Sequence, residues 1–189
     1  MSGIVFFREW FPLPKGEFRI MAMLAEKGQF RGNLSDLCRY FSVSPQTKSR
    51  RALKNQISEL EKKGFITVQK TRNTYTLKAI PKAERIEIER RYYEQIRKRH
   101  REPEEESVAW ECVLKVYLWS SVNDYDSLII NQMLEEDLDL TTGVICSAKK
   151  VLDKEFGAIH RHKVSKKVSN GKIYTLGQHL GASAFWNNQ

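Results

Sequence analysis

The chain has 189 residues, with 32 Lys plus Arg against 23 Asp plus Glu, a formal charge of +9. Its apolar fraction of 41% and charged fraction of 29% exclude a membrane bundle and a disordered chain, and the length fits one large domain or two small ones. Cys38, Cys112 and Cys146 are odd in number and far apart, with no C-x-x-C pair, which excludes a disulfide framework and a cysteine zinc site and suits a reducing cytosol.

No stretch approaches the ~20 apolar residues of a bilayer span, and the first eleven residues set Arg8 and Glu9 beside a short apolar run, unlike a signal peptide. Phe18, Met21, Met23 and Leu24 recur at helical spacing up to Gly28, a C-cap. Asn33 is placed to cap a short helix with Leu34, Leu37, Cys38 and Phe41 inward. Ser44-Pro45 is an N-cap with proline at the first helical position. The helix it opens sets Ala52, Leu53, Ile57 and Leu60 on one side and ends at Gly64. Phe65–Val68 and Thr74–Leu77 are two strands joined through Thr71-Arg72-Asn73.

Residues 82–101 contain no Gly or Pro and are dense in Glu, Arg and Lys, which predicts a solvated helix closed by Glu102-Pro103. Its thin seam of Ile88, Tyr92 and Ile96 suits either a domain of this chain or a second copy of it. Glu104-Glu105-Glu106-Ser107 then precedes a second block, as acidic residues favour a helix N-terminus. Val108–Trp119 is strongly apolar, and Ser127 is a candidate cap for a helix with Leu128, Ile129, Met133 and Leu134. A Leu138-Asp139-Leu140 turn leads to Thr141, the cap of a helix carrying Ile145, Ala148, Leu152 and Phe156 and ended by Gly157. A hairpin turning at Asn170-Gly171 follows.

The element order is thus the same in both blocks. Tyr75-Thr76-Leu77 and Tyr174-Thr175-Leu176 stand at the same place in each, which reads as a duplicated unit. The expected organisation is a basic domain over 1–80, a charged helical linker over 81–106 and a second domain with its tail over 107–189. Met21, Met23, Trp110, Phe156 and the three cysteines are expected in the core. Trp10, Phe11, Phe185 and Trp186 either pack the chain ends onto the body or form a dimer contact.

Charge is unevenly spread. Residues 1–80 hold 15 basic and 6 acidic side chains, a net of 15 − 6 = +9. Residues 107–140 hold 1 and 7, while 141–189 hold 8 and 2. A basic face attracts a polyanion at long range and releases condensed counterions on contact.

Helix, helix, tight turn, helix and a two-stranded wing is the pattern of the winged helix-turn-helix. The stretch Leu53-Lys54-Asn55-Gln56-Ile57-Ser58-Glu59-Leu60-Glu61-Lys62-Lys63-Gly64-Phe65-Ile66 closely resembles that family's junction between recognition helix and wing, where Leu-x-x-x-Gly is followed by two apolar residues. The resemblance covers residues 18–80 well and 107–177 less well, since the second block has Glu155-Phe156-Gly157 at its junction and a longer wing. It implies a mostly helical α+β protein of two winged-helix domains joined by a charged helix. It further implies a cytoplasmic, nucleoid-associated protein that binds double-stranded DNA, as bacterial transcription regulators and plasmid or phage replication initiators do, with no cofactor. Paired winged helices also serve chromosome-partition subunits as protein-binding modules. A homodimer through the linker helix or the chain ends is a further expectation.

Carried onto this chain, the family's base-reading helix places Gln46, Thr47, Lys48, Arg50, Arg51 and Lys54 opposite the apolar side, where Arg pairs with guanine, Gln with adenine and Lys with phosphate. The wing adds Lys70 and Arg72. In the second block the candidates are Lys149, Lys150 and Lys154 on the helix and Arg161, Lys163, Lys166, Lys167 and Lys172 on the wing, a set suited to phosphate anchoring or protein contact. Nicking chemistry would need a Tyr nucleophile and a metal held by paired histidines. Tyr92-Tyr93 and His160-Arg161-His162 supply the residue types, but Arg stands between the histidines and no third ligand is near in sequence. No G-x-x-x-x-G-K-[ST] loop is present, so no ATP-driven step is expected.

Overall fold

The computed structural model describes residues 3–99, 108–123, 128–167, 171 and 173–183, with the side chains of residues 99, 167, 173 and 174 outside that description. The chain is mixed α+β, built of helices and small antiparallel sheets, and divides into two units between Glu87 and Ile88. Among the described residues no helix is long and apolar enough to cross a membrane. The sequence features at Glu102–Ser107, Ser127, Asn170, Lys172, Phe185 and Trp186 lie outside the described residues.

In the first unit α1 (Lys15–Lys27) is the central element, with Phe18 and the run Ile20–Leu24 buried. A helix buried on most of its circumference needs cover on several sides, and α1 packs against β1 (Gly3–Phe7), β2 (Gln29–Gly32), α3 (Thr47–Lys62) and β4 (Thr74–Ala79). Gly28 ends α1 at φ +75°, with its N–H donating to the Leu24 carbonyl at 2.8 Å. Asn33 caps α2 (Leu34–Tyr40) in a reciprocal box. The Asp36 N–H donates to the Asn33 side chain at 3.0 Å, and the Asn33 N–H donates to Asp36 at 2.8 Å.

The α3 helix begins at Thr47 with Gln46 as N-cap, two residues beyond the proline expected to open it. It buries Leu53, Ile57 and Leu60, while Ala52, expected inward, is exposed. Ala52 sits one residue before the buried stripe, and a side chain that small gives burial little to gain. The helix stops in a C-terminal motif where Gly64 takes φ +70° and the Phe65 N–H donates back to Leu60 at 2.9 Å. β3 (Ile66–Thr71) and β4 then form a hairpin whose register pairs Thr71 with Thr74 across Arg72-Asn73. β2 adds to the other edge of β4, giving the order β2-β4-β3.

Residues 82–101 correct the expectation of one helix. Arg85–Glu89 is strand β5, paired with β1, and only Arg90–Arg99 is helix α4. Burial alternates along β5, with Ile86 and Ile88 in and Arg85, Glu87 and Glu89 out. The offset charges satisfied a helical reading while this short period-two signal decided the structure. Trp10 and Phe11 are buried in the chain itself, Trp10 edge-on to Phe6 and Phe7.

The second unit centres on α5 (Trp110–Val122), buried on all sides as far as Ser120. α4 packs on it with Tyr92 edge-on to Tyr117 (centroids 6.3 Å apart) and Tyr93 edge-on to Trp110 (6.1 Å). The Ile88, Tyr92 and Ile96 seam is therefore buried in the chain's own body and not offered to a second copy. Lys115, inside α5, donates to the Leu138 carbonyl at 2.7 Å, and burial pulls its ammonium pKa down to about 8. α6 (Asn131–Leu138) and α7 (Thr142–Lys154) follow, then the hairpin of β6 (Ile159–Lys167) and β7 (Ile173–Ala182).

Just before α6, Ile129 exchanges both backbone hydrogen bonds with Gln178 of β7, each 2.8 Å. This bridge lies on the edge of β7 away from β6, as β2 lies on the edge of β4 away from β3. The two units thus share helix, edge segment, helix, helix, hairpin and the same pairing order. Gly177 permits the bridge, since a Cβ there would meet the Ile129 carbonyl oxygen at 2.8 Å. Two core expectations fail in this unit: Cys146 is exposed and Phe156 is half-buried. Cys146 lies one position beyond Ile145 and off the buried face of Ile145, Ala148, Lys149 and Leu152.

Candidate nucleic-acid interface

The seventeen residues Ser42–Ser58, which lead into α3 and make up most of it, hold Lys48, Arg50, Arg51 and Lys54 and no Asp or Glu. Gln46, Thr47, Lys48, Arg50, Arg51 and Lys54 are all exposed, as are Lys70 and Arg72 on the hairpin. Five other cations of the unit are paired with carboxylates: Arg8 with Glu84, Arg39 with Asp36, Lys62 with Glu59, Lys63 with the buried Glu17, and Arg85 with Glu87. Among the described residues none of Lys48, Arg50, Arg51, Lys54, Lys70 and Arg72 has a carboxylate partner. Lys70 instead lies over the Tyr75 ring, 5.5 Å from its centroid.

These side chains are not one flat row. Thr47, Arg51 and Lys54 follow one helical stripe with Lys48 beside it. Arg50 precedes the buried Leu53 by three residues and so stands at the edge of the buried face rather than opposite it. That placement turns Arg50 towards the hairpin. It lines a cleft of about 340 Å³ together with Lys70 and Arg72, and with Asn33, Ser35 and Tyr75 from α2 and β4. In the sequence these three cations stand apart, at positions 50, 70 and 72. The fold brings them together with Asn33, whose visible sequence role is capping α2, and with Ser35, which carries no sequence signal of its own.

Arg72 has φ +49°, a left-handed backbone that L side chains adopt at a cost of about 1–2 kcal/mol. At the tip of a two-residue turn Gly or Asn would take this conformation with less strain.

In the second unit Lys150, Lys154, Lys163 and Lys166 are exposed, whereas Lys149 is only 2% exposed and points its ammonium at Asn131. Arg161 is tied to Asp153, with its Nε and one terminal nitrogen both 2.7 Å from the same carboxylate oxygen. The Lys167 side chain and Lys172 lie outside the described residues. The candidate set thus splits into free surface lysines, one paired arginine and one buried lysine.

Tyr92 and Tyr93 are core side chains of the α4–α5 contact, and a nucleophile must reach its phosphate. His162 pairs across the hairpin with His179, and His160 lies two residues along the same strand. Among the described residues no group of three or more His, Cys, Asp or Glu is disposed to hold a metal ion. No model of a known protein family matches this sequence, and a comparison with curated proteins finds no match.

Proposed function

We propose that both units are winged helices and that the chain binds duplex DNA sequence-specifically, as a transcription regulator, with no chemistry of its own. The single observation behind this reading is the group of six exposed cations gathered on α3 and the neighbouring hairpin, none of which has a carboxylate partner among the described residues. Unpaired like charges gathered on one face repel one another, and a polyanion relieves that repulsion while its counterions are released. On this reading α3 enters the major groove, Gln46, Thr47 and Arg51 meet base edges, and Lys48 and Lys54 meet phosphates. Arg50, Lys70 and Arg72 clasp the adjacent backbone from the cleft. The exposed lysines of the second unit anchor phosphate without reading sequence.

Selection of bound genomic fragments by the full chain, followed by footprinting, tests the proposal. Protected sites at promoters support regulation. Iterated repeats at an origin favour a replication initiator, and the absence of any enriched sequence contradicts specific binding.

Arg72 separates contact from scaffold. Gly relieves the left-handed strain but adds freedom to the unfolded chain, so Arg72→Gly is expected to leave stability unchanged or raise it by up to about 1 kcal/mol. The same variant should weaken binding to all duplexes alike, because a phosphate contact holds no sequence information. Urea unfolding and fluorescence anisotropy on one preparation check both halves. Unaltered affinity would remove the hairpin tip from the interface.

A further inference from the structure

The second unit contains a cavity of about 620 Å³ between α7, β6, β7 and the segment 129–131. That volume lies in the ~300–1,000 Å³ range of small-molecule sites. Lys149 lines it, 2% exposed, donating to Asn131 Oδ1 at 2.8 Å, and the same oxygen accepts from Gln178 Nε2 at 3.2 Å. Among the described residues no carboxylate pairs with Lys149. Lys150, Lys154 and Lys163 line the same cavity and are exposed, and the remaining cation, Arg161, is already held by Asp153. The lining is apolar at Ile129, Ile130 and Leu176, and Ile130 and Leu176 are exposed although large and hydrophobic.

A buried ammonium that faces other cations and has no counter-charge is an expensive arrangement for a fold to keep. Burial holds its pKa at about 8, and the nearby Arg161 pushes in the same direction. A duplex does not answer this demand, because the phosphates of a rod stay outside a surface under which Lys149 is buried. A small molecule that enters the cavity does.

We propose that this cavity binds a small organic anion with an apolar body, its phosphate or carboxylate head held by Lys149 with Lys150 and Lys163, and its body against Ile130 and Leu176. The proposal stands independently of DNA binding by the first unit.

Calorimetry on the full chain with hexyl phosphate, hexanoate, inorganic phosphate and 1-hexanol tests it. One of the two hexyl anions should bind one per chain at least about tenfold more tightly than inorganic phosphate and than hexanol, and which of the two wins identifies the head group. Equal binding of hexanol would mean an apolar patch only, equal binding of inorganic phosphate would mean a charge cluster only, and either result overturns the proposal, as does the absence of binding by both hexyl anions. Lys149→Met removes the buried charge at similar volume, so the variant should melt no lower than the parent and bind the preferred anion at least about tenfold more weakly. Unchanged affinity in Lys149→Met overturns the assignment. Should that variant not fold, the surface pair Lys150→Gln/Lys163→Gln reads the same site, with a loss of about fivefold or more expected and no loss contradicting it.

The affinity should also fall by up to about tenfold per pH unit above pH 8, as the ammonium of the free cavity loses its proton. The groups facing it are Cys146 and Lys150 on α7, Asn131 on α6, and Arg161 and Lys163 on β6. Cys146→Ser should keep this profile. A flat profile between pH 7 and 10, or one abolished by Cys146→Ser, overturns the placement of the head at Lys149.

Discussion

The double variant Arg51→Glu/Lys54→Glu is expected to lose about 10³-fold in affinity for duplex DNA, at about 1–3 kcal/mol for each contact removed. Both side chains are exposed on the stripe of α3 that faces away from Leu53, Ile57 and Leu60, and neither has a carboxylate partner among the described residues. Reversal deletes two contacts and sets two like charges against phosphate, so the loss exceeds what truncation to Ala would give. The fold has little at stake there. Surface changes away from caps and ion pairs fall within about ±0.5 kcal/mol, so the urea midpoint should hardly move. Anisotropy with a labelled duplex and a parallel unfolding titration separate the outcomes. A variant that unfolds at the parent midpoint and binds like the parent would show that α3 does not face DNA.

The second large effect lies on the other side of the same helix. Leu60 is fully buried, and its carbonyl accepts the Phe65 N–H that closes the helix at Gly64. Leu60→Ala is expected to destabilise the first unit by about 2–5 kcal/mol, through lost transfer energy and the cavity left behind. That is a large share of the ~5–15 kcal/mol that holds a typical domain together. Ala52→Gln is the matching control. Ala52 was expected in the same inward row, but it is exposed, and its replacement should change stability by no more than about 0.5 kcal/mol. Equal and large losses in both variants would restore the inward placement of Ala52 and rotate the proposed contact face with it.

These two sides of α3 show what the sequence carries and where it stops. Leu53, Ile57 and Leu60 announce their burial by spacing, Gly28 and Gly64 announce helix ends, and Asn33 announces a cap, because each is a local rule with one answer. The alternation of Ile86 and Ile88 was masked by the charges around it, and β5 forms only because β1 is there to pair with it, a partner some 80 residues away. β2 and the Ile129 bridge were invisible for the same reason, as segments of four residues and one residue have no periodicity to read.

The candidate site divides in the same way. Exposure of Lys48, Arg51 and Lys54 followed from helical spacing alone. The cleft that gathers Arg50, Lys70 and Arg72 depended on how the hairpin sits against α2, which no local pattern encodes. Lys149 looked like one more surface lysine in a basic run, yet the helix places it beside Ala148 on the buried face of α7.

The most direct measurement is the salt dependence of duplex binding by the full chain. Five phosphate contacts from Lys48, Arg50, Lys54, Lys70 and Arg72 would give a slope of log K against log salt of about −4.5, a fall of about 500-fold in affinity between 50 and 200 mM. A change smaller than about tenfold over that range, or no detectable association at 50 mM, would contradict the account.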